Sequence, residues 1–232
     1  MPNELISEAE RSAVYKAIYG RRDVRSFFKP DPLPKEVLAR VLLAAHHAGS
    51  VGYMQPWNFI IVEDQHIKER VKQAFERERN EAALLFEGER KEKYLSYKLE
   101  GILEAPVNLV VTSDPTRFGP QVIGRHSIPE TDIYSTCCAI QNLWLAARAE
   151  NIGVGWVSIL KREELYEIFQ IPSHVTIVAY LCLGTVTQFP EKPDLERVGW
   201  GKRVSLEELV SFNAWNGKTP ECWEGFQVLL RE

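Results

Sequence analysis

Residues 153–158 read Gly-Val-Gly-Trp-Val-Ser and follow a long, weakly charged stretch over 132–150. We predict a buried helix over 132–150 and, after it, a strand over 154–160. Glycine weakens a strand interior, and one common reason for its presence is a planar ligand that lies on the backbone. We therefore expect Ser158 at the edge of such a ligand. A strand that merely tolerates glycine is the alternative interpretation.

Working outward from this pair, the rest of the chain alternates between helical and extended patterns. Three more strands are predicted at 59–62, 107–112 and 176–186, and helices are predicted at about 7–20, 34–48, 65–104 and 162–170. Ser7 and Glu10 predict a capping box at the start of the first helix. The second helix is predicted to face inward with its regularly spaced apolar residues Val37, Leu38, Val41, Leu42 and Ala45. Because helices dominate and separate the strands, the fold class is α+β around a central sheet.

We expect one domain over residues 1–232. A highly charged segment at about 77–101 interrupts the packed pattern, and we interpret it as a helical lid, although such a stretch is also typical of a solvated face. The C-terminal tail, about 187–232, carries large aromatic residues but little periodic structure. A tail of this kind is not expected to form its own core, so we predict that it packs on a partner subunit.

Composition excludes several functional classes. The chain has 232 residues and a net charge of −4, which argues against a nucleic-acid-binding surface. The spacing of its four cysteines and five histidines does not indicate a disulfide framework or a metal site, so no metal is expected. The sequence shows neither a signal peptide nor an apolar run long enough for a membrane span. We expect a soluble, cytoplasmic protein with no membrane partner.

Residues 21–25 read Arg-Arg-Asp-Val-Arg and follow the first predicted helix. In an extended segment Arg21, Asp23 and Arg25 point to one side, and the intervening residues point to the other. Guanidinium groups match the geometry of phosphate oxygens, so this segment is a candidate phosphate site; a solvated charge cluster is the alternative. The neighbouring arginines should keep Asp23 ionised, which suits it to accept a hydrogen bond or a proton.

A second candidate segment is the loop over 49–58, Gly-Ser-Val-Gly-Tyr-Met-Gln-Pro-Trp-Asn. Its glycines allow close backbone approach, and Ser50 and Gln55 supply polar contacts, although a simple connector would look similar. The chain has no nucleophile elbow and no phosphate-loop lysine motif. The combination therefore indicates a bound organic cofactor that carries the reaction.

These segments resemble the nitroreductase superfamily, in its N-terminal phosphate-binding motif and in its flavin-contacting loop with Gln55-Pro56-Trp57. The resemblance implies a central mixed sheet surrounded by helices, and flavin mononucleotide (FMN) bound between the subunits of an obligate homodimer. Arg203, in Gly-Lys-Arg, is similar to the second phosphate-binding residue of the family. The FMN-binding residues that the resemblance implies are Arg21, Arg22, Asp23, Val24, Arg25, Gly49, Ser50, Gln55, Leu99, Trp156, Val157, Ser158 and Arg203.

Within that superfamily, residues 94–101, 131–138, 141–148 and 153–159 resemble the 5,6-dimethylbenzimidazole synthases. The resemblance implies that reduced FMN is itself the substrate. It is cut with dioxygen into 5,6-dimethylbenzimidazole, the lower ligand of vitamin B12, and erythrose 4-phosphate. Asp23 and Ser158 match the family's two catalytic residues. Gly49 departs from the superfamily, in which proline often precedes the serine.

Three other functions remain open at this point. The chain could be an NAD(P)H-dependent nitroreductase or quinone reductase, a reductive dehalogenase, or a non-enzymatic flavin carrier or redox-sensing domain. The pairing of Asp23 with Ser158 favours the synthase, because simple electron transfer has no evident use for both groups. If the protein is a synthase, NAD(P)H would act through a separate flavin reductase.

Overall fold

The structure is a computed structural model that describes residues 5–230. The helices are α1 (Glu8–Gly20), α2 (Lys35–His46), α3 (Gln65–Ala83), α4 (Gly88–Ser96), α5 (Thr131–Ala149), α6 (Arg162–Phe169) and α7 (Asp194–Arg197). The strands are β1 (Trp57–Val62), β2 (Val107–Ser113), β3 (Ile152–Val157) and β4 (Thr176–Thr185). Four short 3-10 helices lie at Val51–Tyr53, Leu206–Glu208, Glu221–Trp223 and Phe226–Leu230. The predicted α+β class is confirmed.

The sheet has the strand order β1-β2-β4-β3, so β1 and β3 form its opposite edges. All three strand pairs are antiparallel, in contrast to the mixed sheet that we expected. Within residues 5–230 the parallel pairing is confined to one isolated bridge, between Asp23 and Val154. The four-stranded sheet is therefore antiparallel, and the Arg21–Arg25 segment meets the outer edge of β3 at this single parallel bridge.

Helix α5 covers one face of the sheet and packs against α2. Leu38, Val41 and Ala45 of α2 are buried, as their spacing predicted. Nine of the 19 residues of α5 are buried too, but Tyr134, Cys138 and Gln141 form an exposed stripe along it. Spacings of three and four residues place these side chains on one face of the helix.

Helix α1 starts with the predicted capping box, in which the backbone N–H of Ser7 donates to Glu10 Oε2 at 2.8 Å. Val14, Ala17 and Ile18 mark one face of α1, but none of the α1 side chains is buried in the single chain. Helix α1 contacts α5, but Val14 and Ile18 remain 52% and 40% exposed.

The charged region contains two helices, α3 and α4, rather than the continuous helix that we predicted over 65–104. The break lies at Leu84–Glu87, where the backbone leaves the helix before Gly88, which has a φ of 51°. The ion pair of Arg77 with Glu164 joins α3 to α6, and that of Glu81 with Lys161 joins α3 to the residue before α6. The lid role of residues 77–101 stays a prediction.

Contacts within the chain divide it into two compact units, Met1–Pro190 and Glu191–Glu232. In the second unit, the rings of Phe212, Trp223 and Phe226 contact one another, with centroids 4.9–6.3 Å apart. None of these three rings is buried, and the packing of the tail on a partner subunit stays a prediction. Trp215 in the same unit remains 93% exposed. No helix among residues 5–230 is long and apolar enough to cross a membrane.

Candidate functional site

The Arg21–Arg25 segment lies along the outer edge of β3. The backbone N–H of Val24 donates to the Val154 carbonyl at 3.0 Å, and Asp23 forms the parallel bridge to Val154. Val24 is fully buried, whereas Asp23 and Arg25 point to the other side and contact each other. The predicted alternation of side chains is what the structure contains.

Asp23 is held at both carboxylate oxygens. Oδ1 accepts a hydrogen bond from the backbone N–H of Trp156 at 2.9 Å, and Oδ2 accepts from the Arg25 guanidinium. Burial raises the pKa of Asp23 above its ordinary value, because it outweighs the opposing effects of Arg25, the Trp156 N–H and Arg21. We had expected the arginines to keep this group ionised. Its partial burial makes it a weaker acid and therefore a better proton acceptor.

Close packing explains the two glycines of β3. A Cβ atom on Gly155 would lie 2.2 Å from the Val24 carbonyl oxygen, and one on Gly153 would lie 2.4 Å from Val186 Cγ1. The glycines therefore admit the Arg21–Arg25 segment and Val186. The expected planar ligand on this part of the strand is not needed to explain them.

The C-terminal half of α5 supports the same segment. The indole N–H of Trp144 donates to the Arg22 carbonyl at 3.3 Å, and the Arg21 guanidinium lies 4.7 Å from the centre of the Trp144 ring. Arg148 Nε donates to the Gly20 carbonyl at 2.9 Å. The sequence pattern did not single out Trp144 or Arg148, since they stand in an apolar helix whose partners the pattern does not reveal.

The three arginines of the segment have different surroundings. Arg22 donates to the carbonyls of Tyr19 and Arg21, both at 2.7 Å, so it closes the end of α1. Two nitrogens of Arg25, Nε and Nη1, are buried and have no acceptor among residues 5–230. Buried donors of this kind nearly always have a partner. The Arg25 guanidinium therefore fits an anionic ligand at this position.

Ser158 follows the last residue of β3, because the strand ends at Val157 and not at 160 as predicted. Its side chain is exposed, and its hydroxyl has no hydrogen-bond partner in the described part of the chain. Val157 is buried, so it can offer a ligand its backbone but not its side chain. Trp156 is partly exposed and packs against Trp144, with ring centroids 6.3 Å apart. Asp23 and Ser158 thus share one end of β3.

Leu99 reaches the same neighbourhood through Gly101. A Cβ atom on Gly101 would lie 3.0 Å from the Arg25 carbonyl oxygen and 2.6 Å from a ring carbon of Phe28. Leu99 is half-buried against the core between the sheet and α3. The structure therefore brings together the segments around Asp23, Ser158 and Leu99.

The loop over 49–55 lies elsewhere in the chain. The Ser50 hydroxyl accepts from the backbone N–H of Gln55 at 3.2 Å, which orders the loop, while Gly49 has open space around it. The Val51 N–H donates to the Ser135 hydroxyl, so the loop sits at the N-terminal end of α5. Ser135 and Arg148 are 13 residues apart, which places the two ends of the helix about 20 Å from each other.

Arg203 belongs to the second unit, between α7 and the Leu206–Glu208 turn. Its predicted role beside Arg21 and Arg25 stays a prediction, as do the roles of all the predicted site residues.

Comparison with known proteins identifies the family. The sequence pattern of the Nitroreductase family matches residues 18–185, more than half of the chain. The chain belongs to the nitroreductase family. The match spans the Arg21–Arg25 segment, the 49–55 loop and all four strands.

Within the nitroreductase family, the chain is similar to proteins named 5,6-dimethylbenzimidazole synthase. The one from Rhodospirillum rubrum is 42% identical over 79% of this chain and 86% of its own length. The one from Rhodobacter capsulatus is 36% identical over 86% of this chain and 96% of its own length. Among solved structures, iodotyrosine deiodinase bound to FMN and 3-iodo-L-tyrosine has a TM-score of 0.68. It is 24% identical over 87% of this chain and 100% of its own, a likeness that shows the shared fold.

Proposed function

We propose that this protein is a 5,6-dimethylbenzimidazole synthase that fragments reduced FMN with dioxygen and releases erythrose 4-phosphate. The observation that carries the proposal is that Asp23, a carboxylate with a raised pKa, accepts a hydrogen bond from the Trp156 N–H, two residues before the exposed Ser158. The names of the two relatives support the same function over nearly the whole chain.

The residues around this pair fit FMN. Arg21, Arg25 and Arg203 would hold its phosphate, and the unpartnered Nε and Nη1 of Arg25 favour an anion there. Arg22 would contribute by fixing the end of α1, and Val24 through its backbone. The ring would lie near Leu99, Trp156 and the backbone of Val157.

Bound reduced FMN would supply the reactivity toward dioxygen, and the protein would direct the outcome of the reaction. Asp23 would accept a proton at Oδ1 or Oδ2, because its raised pKa makes it more basic than an ordinary carboxylate. The Ser158 hydroxyl can donate a hydrogen bond wherever negative charge develops at the edge of the ring. Segment 77–101 would exclude water from the site, so that fragmentation of the flavin is faster than its reoxidation with release of peroxide.

The site is proposed to need two copies of the chain. Ser50 and Gln55 lie at one end of α5, whereas Arg148, which holds Gly20 just before the Arg21–Arg25 segment, lies at the other end, about 20 Å away. A partner could therefore supply Gly49, Ser50 and Gln55 to the flavin held by Arg21–Arg25. The uncovered faces of α1 and α5 offer apolar surface for such a homodimer. The second unit, 191–232, would also pack on the partner.

Reduced FMN would come from outside, through a separate flavin reductase that uses NAD(P)H, and the protein would act in the cytoplasm. The alternatives, a nitroreductase, a quinone reductase or a reductive dehalogenase, have less support, because relatives with nitroreductase or deiodinase names that cover most of the chain are 25–27% identical, whereas the two synthases are 42% and 36% identical.

The decisive experiment is aerobic incubation of the purified protein with reduced FMN, followed by mass analysis of the products. Formation of 5,6-dimethylbenzimidazole together with a four-carbon sugar phosphate is the expected result. If FMN is recovered intact while NAD(P)H and a nitroaromatic are turned over, the protein is an ordinary nitroreductase.

A further inference from the structure

Glu100 is a buried carboxylate that neither the fold nor the proposed chemistry accounts for. It is 2% exposed and lies in the connection between α4 and β2. Its Oε1 accepts hydrogen bonds from Lys72 Nζ at 2.9 Å and from Lys98 Nζ at 2.8 Å. Its Oε2 accepts from the backbone N–H of Ile102 at 2.7 Å. Glu100 thus joins α3, the end of the lid segment and the turn before β2.

Two more buried polar side chains, Asn108 and Lys68, bind backbone carbonyls of the turn before β2. Asn108 Nδ2 donates to the Ile102 carbonyl at 2.9 Å. Lys68 Nζ donates to the carbonyls of Ala105 and Pro106 at 2.9 and 2.8 Å. The backbone from 102 to 106 is therefore fixed at several points. Because Glu100 is bonded to this backbone, it also restricts the positions of the residues on either side of it.

The two neighbours of Glu100 in sequence lie at the candidate site. Leu99 is the expected neighbour of the flavin ring. Gly101 packs against the Arg25 carbonyl so closely that a Cβ atom there would lie 3.0 Å from it. A shift of Glu100 would consequently move both Leu99 and the contact with Arg25.

A buried ion cluster is a poor way to gain stability, because removing the charges from water costs much of what their attraction returns. Burial raises the pKa of Glu100, but the hydrogen bonds from Lys98, Lys72 and the Ile102 N–H together bring it below its ordinary value. Glu100 is therefore ionised at neutral pH. A charged group retained at such cost is better explained by the geometry it imposes.

We propose that Glu100 is a positioning residue that locks Leu99 and Gly101 against Arg25 and so seats the segment 77–101 on the bound flavin. The proposal rests on the proposed function for the identity of the ligand. The lock would act through the placement of Leu99 and not by contact with the reacting atoms.

The test compares Glu100→Gln with Glu104→Gln and Glu76→Gln. The two controls remove the exposed partners of the same lysines, Lys98 and Lys72, but leave the Ile102 N–H bond intact. Measured for each variant are the dissociation rate of FMN and the ratio of benzimidazole to hydrogen peroxide formed from reduced FMN. We expect Glu100→Gln to release FMN about tenfold faster, equal to about 1.4 kcal/mol, and to shift the product ratio toward peroxide, with both controls near wild type.

Lys98→Met is a second test variant, because its side chain is 37% exposed and its loss leaves the Ile102 bond in place. If Glu100→Gln does not fold, a faster release of FMN from Lys98→Met than from Glu104→Gln still supports the lock. The lock is overturned if Glu100→Gln folds and releases FMN at the same rate as the controls. If Glu100→Gln does not fold, the lock is overturned by equal FMN release from Lys98→Met and Glu104→Gln. A wild-type protein that makes no benzimidazole refutes the proposed function instead, and the release rates still decide the role of Glu100.

Discussion

Gly155 and Val24 approach so closely that no larger residue fits between their strands: a Cβ atom on Gly155 would overlap the Val24 carbonyl oxygen at 2.2 Å. This contact lets the Asp23 carboxylate reach the Trp156 N–H. The position of the candidate catalytic carboxylate therefore depends on the absence of a Cβ atom at position 155.

Gly155→Ala should displace the Arg21–Arg25 segment, because a backbone carbonyl cannot swing away as a side chain can. We expect a loss of about 1–3 kcal/mol in the free energy of unfolding, together with weaker FMN binding. Chemical denaturation and flavin titration measure the two effects. Gly201→Ala is the control, since its Cβ would meet no atom within 4 Å. Wild-type stability and affinity in Gly155→Ala would contradict the packing argument.

Replacing Arg21, Arg25 or Arg203 by Ala should weaken FMN binding by about 1.5–3 kcal/mol, the value of a hydrogen bond to a charged group. Riboflavin lacks the phosphate, so its binding should change little. Titration with both flavins separates the effects, and Arg11→Ala, which loses an exposed ion pair with Glu8, serves as the control. Equal losses for FMN and riboflavin would show that the arginines do not bind the phosphate.

Asp23→Asn keeps the shape of the side chain and removes its basicity. We expect retained FMN binding, retained oxidation of reduced flavin and a benzimidazole yield lower by a factor of about 10² or more. Product analysis and oxygen consumption test this expectation. Wild-type formation of benzimidazole by Asp23→Asn would exclude Asp23 as the base.

The same variant tests the raised pKa of Asp23. The ordinary pKa of an Asp carboxyl is 3.8, so the unfolded chain releases the Asp23 proton above that pH. The folded chain keeps the proton to a higher pH, because its pKa is raised. The stability that comes from this proton is present at low pH and is lost as the pH rises through the raised pKa. Wild-type protein should therefore lose stability relative to Asp23→Asn as the pH rises above 3.8. A pH-independent difference in the free energy of unfolding would argue against the shift.

Ser158→Gly removes a hydroxyl that has no partner in the described part of the chain. If this group stabilises developing charge as oxyanion donors do, product formation should shift from benzimidazole to peroxide by a factor of about 10². FMN affinity should stay close to wild type, because the hydroxyl is one contact among many. An unchanged product ratio would leave Ser158 without a catalytic role.

The sequence was informative where chemistry is local. The spacing of Leu38, Val41 and Ala45 predicted the buried face of α2, and the alternation in Arg21–Arg25 predicted which side chains share a side. It was misleading where a distant partner decides. Gly153 and Gly155 indicated a ligand, but the neighbouring backbone and Val186 explain them.

The remaining surprises have the same physical origin. The pKa of Asp23 depends on burial by the fold, which the charges of its neighbours in sequence do not report. Trp144 and Arg148 looked like ordinary residues of an apolar helix, yet their partners lie more than 120 positions earlier in the chain. Glu100 likewise has a partner, Lys72, that lies 28 positions earlier in α3.

The separation of the two half-sites along α5 has a genetic consequence. If each flavin site draws on both subunits, a chain with Asp23→Asn and a chain with Gln55→Ala carry defects in different halves. Mixed dimers of these chains would contain one site with both defects and one site with none. Random exchange would then restore about a quarter of the wild-type sites, although every site of either variant alone carries a defect. Recovery of activity in mixed dimers of the two variants would show that each flavin site is built from residues of both subunits.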